Sequence, residues 1–293
     1  MSTLQIILGP TAVGKTEYAL SVAQAAGSPV VSCDSRQLFR EMRIGTARPS
    51  DGQLAAVRHY FIADRSVTDG CTAGRYELEA LALLEELFRT HETVVMAGGS
   101  GLYIDALCNG LDDFPEADPQ LRACLSKRLR TEGVAALRAE LRILDPESYA
   151  ALDPANGQRI VRALEVTIAT GRKFSSFKTR PAKPRPFTIE KTGLTRPRPE
   201  LYARIDERVD RMMEDGLLEE ARALLPYRDL PALNTVGYRE LFGYFDGAYD
   251  LAEAVRLIKR NTRHYAKKQL TWWARDPSIR WIDLTSLPSP RTA

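Results

Sequence analysis

A glycine-rich run that ends in lysine and threonine is the clearest chemical feature of this 293-residue sequence. Its glycines would let backbone N–H groups converge on phosphate oxygens, and the N-terminus of a following helix would add partial positive charge. Lys15 would neutralise terminal phosphates, and the Thr16 hydroxyl would hold Mg²⁺. The run matches G-x-x-x-x-G-K-[ST] at every fixed position, which predicts a polyphosphate site without specifying ATP. We call it the P-loop; it comprises Gly9, Pro10, Thr11, Ala12, Val13, Gly14, Lys15 and Thr16.

Asp34 is the second candidate for chemistry, because it directly follows the apolar run Pro29–Cys33. A carboxylate there can accept a proton from a substrate or act as an outer-shell acid for the metal. The alternative is structural, with Asp34 capping a helix that begins near Ser35. The apolar run ending at Ala97 leads to Gly98, so it lacks a conventional Walker B aspartate.

Alternating strands and helices would position both candidates. Short apolar runs predict three buried strands, at Leu4–Leu8, Pro29–Cys33 and Glu92–Ala97. Intervening amphipathic segments predict helices at Lys15–Ala26 and Tyr76–Arg89. This order predicts an α/β fold, a P-loop NTPase-like, doubly wound parallel sheet. Ligands collect at the carboxyl ends of such strands, so the candidate sites are Gly9–Thr16, Asp34–Gln37 and Gly98–Gly101.

The middle of the chain lacks strand signals and predicts a helical insertion. Helices are expected at Leu121–Glu132, Val134–Leu144 and Gln158–Thr170, before a proline-rich loop at Thr179–Pro186. We therefore expect a P-loop core of residues 1–111 and 187–293, and a helical insertion domain of residues 112–186. The second part of the core is predicted to hold a strand and four helices, at Phe187–Leu194, Pro199–Asp215, Leu217–Leu225, Tyr238–Phe245 and Leu251–Trp273.

The composition limits the class of protein, and the charge is unevenly distributed. No stretch approaches the roughly 20 apolar residues of a membrane span, and four scattered cysteines favour reduced thiols in a cytosolic protein. Residues 1–157 carry a net charge of −6 and residues 158–293 carry +9. A basic half often meets a polyanion, although a solvated arginine-rich surface is equally compatible with charge alone.

Longer stretches resemble one family. Residues 34–49 read DSRQLFREMRIGTARP, and later segments read GGSGLY at 98–103, QRIVRALEV at 158–166, VGYR at 236–239 and TRHYAKKQLTW at 262–272. In this order they resemble the motifs of the tRNA dimethylallyltransferases, or tRNA isopentenyltransferases, over about residues 4–283. Phe39 and Ser100 depart from the common tyrosine and threonine, but Ser100 keeps the hydroxyl.

The resemblance implies transfer of a dimethylallyl group from dimethylallyl diphosphate to N6 of adenosine 37, in tRNAs reading codons that begin with U. It implies that Mg²⁺, Lys15 and Thr16 stabilise the diphosphate leaving group in the P-loop, while Asp34 is the general base. It also implies that an arginine from a later helix reaches the diphosphate. Arg204 and Arg208 lie one helical turn apart, so both remain candidates.

The resemblance further implies a partner, the tRNA anticodon stem-loop, whose target adenine is flipped out. The expected protein is a cytoplasmic monomer that binds no membrane. In the last helix, Arg256, Arg260, Arg263 and Lys267 would form a basic face opposite a core-facing stripe that includes Tyr265. The expected tRNA-binding residues are Asp34, Ser35, Arg36, Gln37, Ser100, Arg122, Gln158, Arg159, Ile160, Val161, Arg162, Val236, Gly237, Tyr238 and Arg239.

Two other classes of function are compatible with parts of the sequence. A P-loop kinase of a small metabolite would require ATP and would not explain the basic half. A non-catalytic RNA-binding protein would not explain the complete P-loop and Asp34. The sequence lacks an N-K-x-D guanine-reading motif, which disfavours a GTPase.

Overall fold

A parallel β-sheet forms the framework of the protein. The computed structural model describes residues 2–112, 114–115, 118–178 and 183–286, so part of the expected loop at 179–186 lies outside the described residues. Within them, all strand pairs are parallel and the order is β3-β2-β4-β1-β5-β6. The strands are β1 Thr3–Leu8, β2 Val30–Ser32, β3 His59–Tyr60, β4 Thr93–Gly98, β5 Thr188–Thr195 and β6 Ile279–Asp283.

Twelve α-helices accompany the strands in the described residues. Those before the insertion are α1 Lys15–Ala26, α2 Asp51–Ala56, α3 Ala73–Leu87 and α4 Gly101–Asn109. The next four are α5 Pro119–Thr131, α6 Gly133–Leu144, α7 Pro146–Ala151 and α8 Gly157–Thr170. The last four are α9 Arg198–Glu214, α10 Leu217–Ala223, α11 Tyr238–Phe245 and α12 Leu251–Trp273.

Burial explains why the central strand reads as a continuous apolar run. Leu4, Ile6 and Leu8 of β1 pack into one hydrophobic cluster, whereas Ile7 packs into another. Successive side chains of a strand point to opposite faces, so β1 is covered on both sides. The doubly wound α/β fold predicted from the sequence is confirmed.

The chain divides into two compact units. One comprises the residues up to Cys108 together with those from Pro184 onward, and it contains the whole sheet. The other is Asn109–Lys183, whose described regular structure is helical. We call them the α/β unit and the helical unit. Their boundaries fall three residues before those expected for the insertion, and the functional assignment of the insertion stays a prediction.

The helical unit has its own hydrophobic core. Leu125, Leu137, Leu141 and Leu164 are almost completely buried and belong to one cluster. Asn156 caps α8 by accepting a hydrogen bond from the Arg159 backbone N–H at 3.2 Å. This cap fixes the position at which α8 begins.

The length and polarity of the helices determine whether any of them could span a membrane. Among the described residues, every helix is too short or too polar to cross a bilayer.

Candidate active site

A cavity of about 460 Å³ in the α/β unit collects the predicted chemistry. It lies where β1, β2 and β4 end, as expected for a parallel sheet. Helices α9 and α12 complete its lining. Nine of the residues predicted to act on substrates line it: Thr11, Ala12, Gly14, Lys15, Thr16, Asp34, Gln37, Arg204 and Arg208.

The P-loop takes the backbone conformation that its glycines permit. Gly14 has φ 110° and immediately precedes α1, so the first N–H groups of that helix point toward the cavity side of the loop. Gly9 has φ 153°, and a Cβ atom there would lie 2.7 Å from the Leu194 carbonyl oxygen. Both positions thus require glycine for a physical reason, a left-handed φ at Gly14 and a close backbone approach at Gly9.

Lys15 lies folded across the P-loop. Its Nζ donates hydrogen bonds to the carbonyl oxygens of Gly9 and Pro10, each at 2.9 Å. Burial, together with the charge of the nearby Arg208 and against the opposing charge of Asp34, lowers the pKa of Lys15 to about 8. A cation held in this way gains from an arriving polyphosphate, because the anion offsets the cost of burying the charge.

The structure distinguishes the two candidate arginines of α9. Arg204 donates from Nε to the Ala12 carbonyl oxygen at 3.0 Å, so it braces the P-loop backbone. Arg208 lies in the same cavity, near both Lys15 and Asp34: burial lowers its pKa, and the Asp34 charge raises it. Within the described residues, the Arg208 side chain forms no hydrogen bond or ion pair, which leaves its guanidinium available for a ligand.

Asp34 follows β2 and precedes a turn, not a helix. Its Oδ1 accepts hydrogen bonds from the backbone N–H groups of Arg36, at 2.9 Å, and Gln37, at 3.4 Å. The helix-capping alternative is therefore wrong, because no helix begins near Ser35 among the described residues and Asp34 caps a turn instead. The capped turn still lines the cavity, so its structural role does not compete with a chemical one.

Gly98 permits this placement of Asp34. A Cβ atom at Gly98 would lie 2.6 Å from the Cys33 carbonyl carbon and 2.9 Å from the Asp34 backbone nitrogen. The segment that follows β2 therefore packs closely against the backbone at the end of β4. Ser100 continues the contact, since its Oγ accepts from the Ser35 N–H at 2.9 Å.

Gln37 is oriented by the protein itself. Its Nε2 donates to the carbonyl oxygens of Thr46 and Ala47, each at 3.2 Å. Base recognition by this amide would thus use its carbonyl oxygen, because its NH₂ group already donates to the protein.

The oxygen atoms of the cavity bear on whether it can hold a divalent metal. Within the described chain, no group of three or more His, Cys, Asp or Glu side chains is arranged to hold a metal. The Thr16 hydroxyl and the Asp34 carboxylate nevertheless line the same cavity. Mg²⁺ usually binds through one or two protein oxygens plus substrate phosphates and waters, so these residues fit Mg²⁺ if a diphosphate supplies the remaining ligands.

Sequence reasoning missed several cavity residues. Tyr265 was assigned to the core-facing stripe of the last helix, but it is 41% exposed and lines the cavity. Arg48 also lines it, with a buried Nε that finds no hydrogen-bond partner in the described part of the chain. Gln269 bridges two parts of the site: its Oε1 accepts from the Thr11 N–H at 2.9 Å, and its Nε2 donates to the Gly99 oxygen at 2.8 Å. Periodicity cannot separate a cavity-facing stripe from a core-facing one, although Arg48, Tyr265 and Gln269 all fall in stretches that carry the family resemblance.

The 236–239 segment is largely buried, which corrects part of the expectation. The side chain of Tyr238 is fully buried, and its hydroxyl donates to Glu220 Oε1 at 2.6 Å. Gly237 is buried as well, whereas Val236 is half-buried and Arg239 is exposed. The Tyr238 side chain therefore cannot contact RNA in this conformation, and Arg239 is the better candidate.

Some of the tRNA-binding residues predicted in the helical unit are exposed, and others are buried. Gln158 and Arg159 are exposed at the start of α8. Ile160 and Val161 were expected to bind tRNA, but their side chains lie in the core of the unit. This part of the prediction is wrong because these positions lie on the inward face of the amphipathic helix.

Arg122 and Arg162 converge on one buried carboxylate. Glu165 is 1% exposed, and its Oε2 lies 2.8 Å from Arg122 Nη2 and 3.1 Å from Arg162 Nη1. A buried carboxylate needs such cations, so both arginines have a structural role in addition to any contact with RNA.

The basic face of α12 is partly neutralised in the same way. Arg256 pairs with Glu253 at 2.6 Å, and Arg263 pairs with Asp206. Arg260 and Lys267 are exposed and form no ion pair within the described residues.

A P-loop after β1 and a carboxylate after β2, with β4 between these two strands, form the kind of site found in α/β enzymes that act on phosphorylated substrates. A family model described as IPP transferase matches residues 37–276. The chain therefore belongs to the IPP transferase family, and it is an enzyme of the prenyltransferase class.

Individual relatives support the same assignment. The chain is 54% identical to tRNA dimethylallyltransferase 2 of Porphyromonas gingivalis, over 96% of this chain and 93% of the relative. It is 51% identical to tRNA dimethylallyltransferase 1 of Phocaeicola vulgatus, with the same coverage of both chains. The crystal structure of the tRNA isopentenylpyrophosphate transferase from Bacillus halodurans superimposes with a TM-score of 0.69 at 35% identity, covering 97% of this chain and 90% of that one.

Proposed function

We propose that this enzyme transfers the dimethylallyl group of dimethylallyl diphosphate to N6 of adenosine 37, in tRNAs that read codons beginning with U. The products would be N6-(dimethylallyl)adenosine and diphosphate. One observation carries the proposal: the P-loop, Arg208 and Asp34 line a single cavity in a chain whose relatives are named for this reaction. A diphosphate and an acceptor amine can therefore meet at this cavity.

The cations of the cavity would act on the leaving group. The bond between C1 of the donor and the diphosphate oxygen breaks, and its electron pair leaves with the oxygen. Lys15 and Arg208 would stabilise the charge that develops there, while Arg204 holds the P-loop in shape. Mg²⁺, with the Thr16 hydroxyl as its protein ligand, would supply further positive charge to the diphosphate.

Asp34 would act on the acceptor. The exocyclic nitrogen of adenine attacks C1, a new N6–C1 bond forms, and the released N6 proton passes to the Asp34 carboxylate. The hydrogen bonds from Arg36 and Gln37 both go to Oδ1, so Oδ2 is the oxygen that would take the proton. General bases of this kind typically contribute about 10²–10⁴-fold to the rate.

The tRNA would reach the cavity with its target adenine flipped out of the anticodon loop. The side chains best placed for RNA are the exposed ones among those predicted, namely Gln158, Arg159 and Arg239. Arginine suits phosphates and base stacking, and glutamine suits base edges. We further propose that the enzyme works as a cytoplasmic monomer and that the helical unit contributes to tRNA binding.

A transfer assay tests this proposal. The protein is incubated with radiolabelled dimethylallyl diphosphate, Mg²⁺ and unmodified tRNA that has adenosines at positions 36–38. Label should appear in the tRNA at A37, and Asp34→Asn should reduce the rate by about 10²-fold or more. The exposed Asp229→Asn, which lies outside the cavity, is the matched control and should leave the rate unchanged. Absence of label, together with ATP turnover on a small acceptor, would overturn the proposal in favour of a kinase.

A further inference from the structure

The carboxylate of Glu220, on α10, is surrounded by hydrogen-bond donors from a distant part of the sequence. Its Oε2 accepts from the backbone N–H groups of Arg43, at 2.9 Å, and Ile44, at 2.8 Å. Its Oε1 accepts from the Gly45 N–H at 2.9 Å and from the Tyr238 hydroxyl at 2.6 Å. Four donors on one carboxylate fix three successive peptide groups, because hydrogen bonds to a charged acceptor are short and strong.

The peptide groups that Glu220 holds belong to one side of the cavity. We call residues 43–47 the cavity wall, since Arg43, Ile44, Thr46 and Ala47 all line the cavity. Glu220 and Tyr238 do not line it. They therefore act on the cavity from behind, through the backbone of the wall.

The wall has a conformation that needs support. Ala47 has φ 48°, in the left-handed region that residues with a Cβ atom rarely adopt. The ring of Tyr238 packs directly under Gly45, where a Cβ atom would lie 2.5 Å from the tyrosine hydroxyl oxygen. The Glu220–Tyr238 pair thus provides both the hydrogen bonds and the packing that hold the wall.

The wall is joined in turn to the segment that carries Asp34. The Gln37 amide nitrogen donates to the carbonyl oxygens of Thr46 and Ala47, each at 3.2 Å. The backbone N–H of the same Gln37 donates to Asp34 Oδ1 at 3.4 Å. Hydrogen bonds, linked by the backbone of the wall and by the Gln37 side chain, therefore connect Glu220 to Asp34.

We propose that Glu220 is a positioning residue, which, with Tyr238, fixes the cavity wall and through it the orientation of the Asp34 carboxylate. The inference rests on the proposed role of Asp34 as the base. It assigns the tyrosine of the 236–239 segment to the support of the active site and not to contact with RNA. The P-loop lies outside this chain of hydrogen bonds, so the effect should fall on the chemical step and spare the diphosphate.

Hydrogen exchange tests the structural half without requiring any activity. In Glu220→Gln, one carboxylate oxygen is replaced by an NH₂ group, which cannot accept from the wall. The amides of the wall that face the NH₂ group should exchange at least about tenfold faster, since they lose their acceptor, and the amides that face the remaining oxygen keep only a neutral acceptor in place of a charged one. Glu219→Gln is the matched control, because Glu219 is the exposed neighbour on the same helix.

Steady-state kinetics test the functional half. Glu220→Gln should lower kcat by about tenfold or more, while KM for dimethylallyl diphosphate and the Kd of inorganic diphosphate stay within about twofold of the wild-type values. Tyr238→Phe removes one of the four donors and keeps the ring, so it should show the same pattern with a smaller loss of kcat. Glu219→Gln should match the wild type in all three quantities.

The outcomes separate this inference from the proposed function. Unchanged exchange at residues 43–45 in Glu220→Gln, or an equal loss of diphosphate binding and kcat, would overturn the positioning role. If Glu220→Gln does not fold, Tyr238→Phe decides by the same criteria. A wild-type protein that transfers no label to tRNA would overturn the proposed function, and the exchange experiment would still report on the wall.

Discussion

Arg208 in the cavity and two arginines of the helical unit differ in whether a carboxylate neutralises them. In the cavity, Arg208 forms no ion pair within the described residues, although it lies near Lys15 and Asp34. In the helical unit, Arg122 and Arg162 both pair with the buried Glu165. The sequence assigned all of these arginines to ligands. The difference teaches that a cation marks a binding site most clearly when the fold supplies no carboxylate of its own.

The two regions also differ in how their buried charges are compensated. Keeping Lys15 in the α/β unit costs free energy, which appears as a pKa lowered to about 8. Glu165 in the helical unit already has its compensating charges. Ligand binding can therefore stabilise the cavity much more than it can stabilise the Arg122–Glu165–Arg162 cluster. Variants in the cavity should therefore change the kinetics with the donor, whereas variants in the Arg122–Glu165–Arg162 cluster should change the free energy of unfolding.

The largest expected effect comes from Arg208. Arg208→Gln removes an unpaired guanidinium from beside the proposed diphosphate, and we expect kcat/KM for dimethylallyl diphosphate to fall by about 10²-fold. Arg204→Gln removes only a brace on the Ala12 carbonyl oxygen, and about a tenfold fall is expected. Steady-state kinetics at saturating tRNA compare the two. Equal losses in both variants would contradict the distinction between a ligand-binding arginine and a bracing arginine.

Thr16 is expected to set the dependence on Mg²⁺. Thr16→Ala removes the one cavity hydroxyl assigned to the metal, so the Mg²⁺ concentration that gives half-maximal rate should rise by about tenfold or more. Thr16→Ser keeps a hydroxyl at this position and should remain close to the wild type. A magnesium titration of the transfer rate measures this, and an identical curve for Thr16→Ala would remove Thr16 from the metal site.

Gln269 is expected to have a smaller effect on the same side of the cavity. Gln269→Met retains the length of the side chain but removes the hydrogen bonds to the Thr11 N–H and the Gly99 oxygen. Each is a neutral hydrogen bond worth about 1 kcal/mol, so KM for dimethylallyl diphosphate should rise by about tenfold. Binding of tRNA alone should be unchanged, and a filter-binding measurement checks this. A loss of tRNA affinity without a change in that KM would place Gln269 at the RNA instead.

Sequence alone located the elements that carry strong local signals. The bounds of α1, α11 and α12 coincide with the predicted ones, because each has a clear polar or glycine start and a long apolar stripe. Short elements such as β3 and α2 were missed, since two or six residues offer too little periodicity. The Walker-type cradle and Asp34 were found because their spacing is local.

Long-range partners explain what the sequence could not show. Glu220 lies at least 175 residues from the wall amides that it holds. In the sequence, Tyr238 belongs to a segment predicted to bind tRNA. In the structure, its hydroxyl donates a hydrogen bond to Glu220. Ile160 and Val161 are different, because the apolar stripe of α8 already indicates that they face the core. That error arose from carrying over a whole motif without testing each position against the helical period.

The smallest expected effects compare two arginines of the helical unit. Arg159→Gln changes an exposed side chain at the start of α8, so KM for tRNA should rise a few-fold, by about 1 kcal/mol or less, without loss of stability. Arg122→Gln removes one of two cations beside Glu165, so the free energy of unfolding should fall by about 1–2 kcal/mol. Urea unfolding and tRNA kinetics, measured on both variants, separate the two roles. If Arg122→Gln instead weakened tRNA binding and left stability intact, Arg122 would belong with the unpaired arginine of the cavity, and pairing with a buried carboxylate would no longer distinguish structural from ligand-binding arginines in this protein.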